Sequence, residues 1–207
     1  MTDPIARVII SGMYQDDGWW VPEGQKFGTY YRRHAEALRF VLPWCAKNRV
    51  VVQAGGHMGA YPKWLAEHFE TVYTFEIEQG KFKCLVLNCD NPRIFAMRGA
   101  LYHREGTIKS GHRRVSDEEG PCPTFLVDNM NLAACDLIAL DVDGSEHYAL
   151  LGARRTIGRC KPIILLEDGT RNKGNDQTLY QRSVRFMEEA EYEIVGNCGP
   201  DNIWKPK

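Results

Sequence analysis

From residue 50 onward, short β-branched runs alternate with longer amphipathic segments, and few folds accept that order. Val50–Ala54 ends in glycines and reads as a buried strand. Residues 59–69 follow as a helix, because Tyr61, Trp64, Leu65, His68 and Phe69 fall on one face at helical spacing. Pro62 is tolerated there because it lies in the first turn. Thr71–Phe75 is a second strand, residues 79–89 a second helix and Arg93–Met97 a third strand. Residues 104–124, rich in charge, Gly and Pro, read as turns or a hairpin. Asp136–Leu140 is a fourth strand, 145–157 a helix, Pro162–Glu167 a fifth strand and 177–189 a helix. This order predicts a parallel sheet covered by helices on both faces, a three-layer α/β sandwich. Tyr192–Val195 and Asn202–Trp204 are strand-like around the turn Gly199-Pro200-Asp201. So short a link forces an antiparallel pair, since a parallel return needs a long crossover. The sheet is therefore expected to be mostly parallel, with a reversed C-terminal strand.

The 207 residues fit one domain, with 48–207 as the core and 1–47 as an N-terminal extension of lid and helix. The stretch from Tyr14 to Gly24 is aromatic, carries Gly and Pro, and shows no clear period; it reads as an ordered loop or lid. Trp19, Trp20, Tyr30 and Tyr31 are the rings such a lid would stack on an acceptor. Residues 34–47 look helical, with Leu38, Leu42 and Cys45 on one side. The net charge of −1 lacks the basic excess of a duplex-binding surface, and the pairs Arg113-Arg114 and Arg154-Arg155 read as solvated, so no nucleic-acid partner is expected. No apolar run is long enough to span a bilayer, and Met1-Thr2-Asp3-Pro4 does not open a signal peptide. The seven cysteines are odd in number and none pair at Cys-x-x-Cys spacing, as expected of reduced thiols in a cytoplasmic protein.

Gln53-Ala-Gly-Gly-His-Met-Gly59 joins the first strand to the first helix. Adjacent glycines let a backbone turn sharply and approach a ligand, and a helix N-terminus offers free N–H groups. Glu76 ends the second strand, twenty residues after Gly56. An acid at that place accepts hydrogen bonds from both ribose hydroxyls of an adenosine cofactor. A dinucleotide loop would read Gly-x-Gly-x-x-Gly, but Ala54 holds its first place, and Gly55-x-x-x-Gly59 fits better. S-adenosylmethionine, which has no phosphate, asks less of such a loop.

The segment Val51–Tyr61 resembles the Val-Asp-Val-Gly-Ala-Asn-x-Gly-x-Tyr segment of the FkbM-type methyltransferases. Phe75-Glu76 with Phe82, Leu85 and Asn88 is similar to that family's Phe-Glu-Pro segment and following helix. Asp141-Val-Asp-Gly-Ser-Glu146, with Leu150-Leu-Gly-Ala153, looks like its Asp-Val-Glu-Gly-x-Glu…Leu-x-Gly-Ala block. The likeness covers about residues 50–168 and departs from the family at Gln53, where Asp is usual, and at Asp143, where Glu is usual. It implies a class I, Rossmann-like methyltransferase fold, whose sheet also ends in a reversed strand. It further implies S-adenosylmethionine as cofactor and methyl transfer to a hydroxyl, often on a sugar. The residues placed at the cofactor are Gln53, Gly55, Gly56, His57, Gly59, Tyr61, Glu76, Ala100 and Asp141.

Methyl transfer from a sulfonium is an in-line displacement, so alignment of acceptor and cofactor carries most of the catalysis, and a base assists a hydroxyl acceptor. Ligands of open α/β sheets bind at the carboxyl ends of the strands. There Asp141, Asp143, Glu146 and His147 follow the fourth strand, and Glu167 and Asp168 the fifth. Asp141, His147 and Glu167 are the catalytic candidates, with His147 a possible base. Asp141 with Glu167 and Asp168 offers hard oxygens that could also suit Mg²⁺, although the family resemblance implies no metal. Two other classes compete: a nicotinamide-dependent oxidoreductase, disfavoured by Ala54 and by the lack of a Tyr-x-x-x-Lys pair, and a binding module that keeps the fold without catalysis. The acceptor is expected to be a small molecule or glycan, because Asp141-Val-Asp-Gly stands where amino-methylating enzymes carry Asn-Pro-Pro-Tyr.

Overall fold

A computed structural model describes residues 12–28, 35–110, 115–116, 118–168 and 177–207. Met1–Pro4, Tyr30, Tyr31 and the pair Arg113-Arg114 lie outside the described residues. A hairpin comes first, β1 (Met13–Asp16) and β2 (Trp19–Pro22). The alternating core follows as β3 (Val50–Ala54), α1 (Ala60–His68), β4 (Thr71–Glu76), α2 (Gln79–Asn88) and β5 (Ile94–Arg98). Next come four short strands, β6 (Ala100–Leu101), β7 (Gly106–Ser110), β8 (Val115–Ser116) and β9 (Cys122–Phe125). The core resumes with β10 (Leu137–Leu140), α3 (Glu146–Leu151), α4 (Arg154–Cys160), β11 (Ile163–Glu167) and α5 (Gln177–Glu189). It ends in β12 (Tyr192–Cys198) and β13 (Asp201–Pro206).

Seven strands form the main sheet in the order β12-β13-β11-β10-β3-β4-β5. The pairs β11–β10, β10–β3, β3–β4 and β4–β5 are parallel, whereas β13 runs antiparallel to both β11 and β12. The reversed strand is thus the last in sequence, and it is inserted between β11 and its own hairpin partner. Alternate residues of each strand face opposite layers. Val52, Ala54, Ile138, Leu140, Ile164 and Leu166 pack against Leu150, Ile157, Phe186 and Met187 of α3, α4 and α5. Val51, Val72, Leu137, Ala139, Ile163 and Leu165 pack against Leu65 and Ala66 of α1 and against Leu38 and Val41. Both faces of β3, β10 and β11 are buried, which is why these runs are continuously apolar rather than alternating.

Three stretches differ from the sequence expectation. Residues 13–22 form a hairpin whose two-residue turn is Asp17-Gly18, both in the left-handed region at φ 50° and 79°. Such a turn matches strand twist and favours Asp-Gly. The helix expected over 34–47 is, among the described residues, replaced after Ala37 by two short 3₁₀ turns, Leu38–Phe40 and Leu42–Trp44, the second holding Pro43. The helix expected over 145–157 breaks at Gly152-Ala153, where a Cβ on Gly152 would stand 1.9 Å from the Tyr102 carbonyl oxygen. No described helix is long and apolar enough to cross a membrane.

Candidate cofactor and acceptor site

The loop between β3 and α1 is held by main chain on two sides. Gly55 and Gly56 both donate to the Phe75 carbonyl, at 3.0 and 2.9 Å, and Asp141 donates to the Ala54 carbonyl at 3.2 Å. Gly55 sits at φ 87°, and a Cβ there would lie 2.0 Å from the Asp141 carbonyl oxygen. Only glycine allows that backbone and that approach, so the loop is pressed onto the end of β10. His57 also adopts a positive φ, 48°, uncommon for a residue with a Cβ.

Glu76, at the end of β4, is the acid beside this loop. It is 6% exposed; Oε2 accepts from the His57 N–H at 2.7 Å and Oε1 from the Glu78 N–H at 2.8 Å. Burial raises its pKa above the ordinary carboxylate range, opposed by those two hydrogen bonds and by Lys81. Each oxygen keeps a second lone pair for a further donor. Gln53 faces the interior: at 1% exposure it donates to the Ala54 carbonyl at 3.0 Å and accepts from the Thr74 hydroxyl at 2.5 Å. A neutral amide suits that buried position better than the usual Asp, because an isolated buried charge is costly.

Asp141 follows β10 and lies exposed to solvent. Desolvation by the surrounding protein, then the carboxylates of Glu167, Asp143, Glu146 and Glu76, push its carboxyl up to about 7. Water reaches the group, so the crowd of like charges is the cause with most structural meaning. Glu146 is buried, and its Oε1 accepts from the Val142 and Gly144 N–H groups at 3.0 and 3.2 Å. It thereby shapes the turn after Asp141, in which Asp143 sits at φ 51°. Burial and, more weakly, Glu167 raise Glu146 to about 7 against those bonds. Ser145, at the N-cap of α3, makes no side-chain cap, and the turn is held by Glu146 instead.

The carboxyl ends of β4, β10 and β11 thus bring Glu76, Asp141 and Glu167 into one electrostatic group. Ala100 is buried in β6, reached from Glu76 through Gly99, whose N–H donates to the Glu76 carbonyl at 3.0 Å. Ile77 and Tyr148 pack against the same apolar cluster as Ala100 and Tyr102. Tyr61 lies in the first turn of α1 and packs with Trp64 toward the second core face. His147 follows Glu146 in α3, but the charges acting on it are cationic: burial, then Arg182, Arg154 and His103, lower its pKa. Among the described residues, no group of three or more His, Cys, Asp or Glu side chains is arranged to hold a metal ion.

The hairpin residues Trp19 and Trp20 are partly buried beside the cofactor loop. Trp19 stacks on Phe27 at 4.0 Å with Lys63 above its ring at 4.8 Å, and both tryptophans pack on the small core of Met13, Val21, Met58 and Cys84. Asn88 of α2 binds the Trp20 N–H and carbonyl at 2.8 and 2.9 Å and the Met58 carbonyl at 2.7 Å. One buried amide therefore ties hairpin, α2 and loop together. In the sequence Asn88 shows only as part of a motif, and Ile77 has no signal beyond following Glu76.

A sequence model described as the methyltransferase FkbM domain matches residues 53–194. No curated protein matches the chain. Among solved structures, the chain is similar to a methyltransferase FkbM from Methylobacillus flagellatus KT, with TM-score 0.53 and 18% identity over 75% of this chain. It spans only 42% of that relative's chain. It is also similar to the ribosomal protein L11 methylase of Lactobacillus delbrueckii subsp. bulgaricus, with TM-score 0.54 and 12% identity over 90% of this chain and 84% of that one. A precorrin-6y C5,15-methyltransferase from Geobacter metallireducens GS-15 gives TM-score 0.54 and 11% identity over 92% of this chain and 94% of that one. At these identities the structural likeness speaks to the fold, which is that of class I methyltransferases. The family match covers more than half of the 207 residues and includes the loop, Glu76 and the Asp141 turn. The chain belongs to the FkbM family of S-adenosylmethionine-dependent methyltransferases.

Proposed function

We propose that this chain binds S-adenosylmethionine between the Gln53–Gly59 loop and Glu76, and methylates a hydroxyl on a sugar or small molecule. The observation that carries the reading is the set of carboxylates at the strand ends, with Asp141 pushed up to about 7 by its setting. Such a group of like charges favours a cationic ligand, and a sulfonium with an ammonium is one. The residues present therefore fit the cofactor. Glu76 would hold the ribose, using the lone pairs left by the two backbone N–H groups. Gly55 and Gly56 let the chain pass close to its amino-acid end, and Ala100 with Ile77 offers an apolar wall for the base. The cofactor supplies a methyl group already activated by positive sulfur.

What remains for the protein is to place the acceptor and receive its proton. Asp141, exposed and with affinity for a proton near neutrality, is suited to take that proton, because a general base works best with a pKa near the working pH. Glu167 keeps that affinity high by its charge. His147, surrounded by cationic groups, is less suited to receive a proton and more suited to the acceptor's far side. The experiment is incubation of the full chain with methyl-labelled S-adenosylmethionine and a panel of sugars and sugar conjugates. Label should enter a hydroxyl-linked methyl, and Asp141→Asn should slow transfer by about 10²–10⁴-fold while cofactor still binds. Transfer at the parent rate by Asp141→Asn overturns the role given to Asp141.

A further inference from the structure

Asp141, which receives the acceptor's proton in the methyl-transfer reading, is exposed, so its carboxylate is only as well placed as the main chain beneath it. On one side that main chain is gripped by the cofactor loop. The Asp141 N–H donates to the Ala54 carbonyl at 3.2 Å, and a Cβ on Gly55 would stand 2.0 Å from the Asp141 carbonyl oxygen and 3.7 Å from the Asp141 Cβ. On the other side, the turn from Val142 to Ser145 has little hold of its own. Asp143 and Gly144 both take positive φ, 51° and 99°, which is uncommon for a residue with a Cβ such as Asp143. The main-chain bond across the turn, from the Ser145 N–H to the Val142 carbonyl, is long at 3.3 Å. Ser145 adds no side-chain cap.

What holds the turn is one oxygen of Glu146. Its Oε1 accepts from the Val142 N–H at 3.0 Å and from the Gly144 N–H at 3.2 Å, so the side chain reaches back from the start of α3 to the residues that follow Asp141. Glu146 is 6% exposed. A buried carboxyl is costly unless it is hydrogen-bonded, and here those bonds go to the turn. The helix that carries Glu146 is itself fixed, because Ala149 and Leu150 lie in the core with Leu140 of β10 and Leu166 of β11. The oxygen is therefore anchored to the core, and the main chain after Asp141 is anchored to the oxygen.

We propose that Glu146 is a positioning residue for methyl transfer: through the Val142 and Gly144 amides it fixes the main chain after Asp141, and so holds the Asp141 carboxylate where the acceptor's proton is taken. This rests on the methyl-transfer reading and adds to it a residue that acts only through Asp141. A misplacement of about 1 Å from a change outside the chemistry can cost about 10²-fold in rate. The property required of Glu146 is reach, since an uncharged amide oxygen of the same length can accept the same two bonds. Its charge is one of four carboxylates acting on Asp141, after Glu167 and Asp143.

The test uses the full chain, methyl-labelled S-adenosylmethionine and the sugar of the acceptor panel that the parent methylates fastest. Two substitutions separate reach from charge. Glu146→Gln keeps the length and an acceptor oxygen without the charge, whereas Glu146→Asp keeps the charge and draws the oxygen back by one methylene. Glu146→Asp should lower kcat about 10- to 100-fold, with parent-like affinity for S-adenosylhomocysteine by calorimetry, which also shows that the variant is folded. Glu146→Gln should lose far less. A cycle with Asp141→Asn is the second readout: adding Glu146→Asp to that variant should slow transfer little further, because residues that act as a unit are not additive. Equal losses in the two Glu146 variants, the reverse order, or a fully additive loss in the double variant overturns the proposal. If Glu146→Asp fails to bind S-adenosylhomocysteine, Glu146→Gln decides alone, and its transfer must stay close to the parent's or the proposal falls. No transfer by the parent to any acceptor contradicts the methyl-transfer reading itself, whereas an active parent with the variants in the wrong order contradicts only the role of Glu146.

Discussion

Asp141 and Glu146 both hold a proton far more readily in the fold than free carboxyl groups do, each raised to about 7. The direction fixes the pH dependence. A group whose folded pKa is raised contributes stability that is full below its unfolded pKa, about 4 here, and lost as the pH rises through the folded value. Unfolding by denaturant should therefore become easier between about pH 4 and pH 7. The cofactor adds the reverse dependence, because a cation prefers the ionised carboxylate. S-adenosylmethionine affinity should rise with pH by up to about tenfold per unit below the Asp141 pKa and then level off. Asp141→Asn should flatten the affinity curve and leave the stability curve with the slope that buried Glu146 supplies. Parallel affinity profiles for parent and variant, from calorimetry, would contradict the assignment of the proton to Asp141.

At the scale of elements, the N-terminal hairpin shows what sequence reading could and could not reach. Asp17-Gly18 is a strong turn signal, but Trp19-Trp20-Val21 beside it does not alternate apolar with polar, so the strands were not legible as strands. The hairpin gains its order from long-range bonds, above all those of Asn88 with Trp20 and Met58. Replacing Asn88 with Ala removes three hydrogen bonds and leaves buried main-chain groups unpaired, at about 1–3 kcal/mol for each group left unsatisfied. We expect Asn88→Ala to lower stability by roughly 2–4 kcal/mol and to weaken S-adenosylhomocysteine binding through Met58 in the loop. Thermal unfolding and calorimetry check both; a variant as stable as the parent means the hairpin is held by its apolar contacts alone. The break at Gly152 was likewise hidden, because its cause is the approach of Tyr102, fifty residues away in sequence.

The whole molecule was more legible than its parts. Buried parallel strands must be apolar throughout, and that constraint wrote β3, β10 and β11 into the chain as unbroken runs. The short Gly199-Pro200 link fixed the reversed direction of β13, although not its insertion between β11 and β12, which depends on the register Ile164–Trp204 through Glu167–Asp201. The loop and Glu76 were visible because each occupies a topologically fixed place at the end of a strand. The roles of Gln53 and His147 were not, because neighbours distant in sequence decide that Gln53 meets the Thr74 hydroxyl and that cationic groups surround His147. The central claim is that this loop and Glu76 hold the adenosine cofactor. Calorimetry of S-adenosylhomocysteine against the parent chain and Glu76→Ala tests it most directly, with Glu76→Gln as a control that keeps an acceptor for the loop. Charge-assisted bonds to the ribose predict that Glu76→Ala loses about 2–3 kcal/mol, roughly 30- to 150-fold in affinity, and that Glu76→Gln loses less. Parent-like affinity in a folded Glu76→Ala chain, or binding of NAD in place of S-adenosylhomocysteine, would contradict the claim.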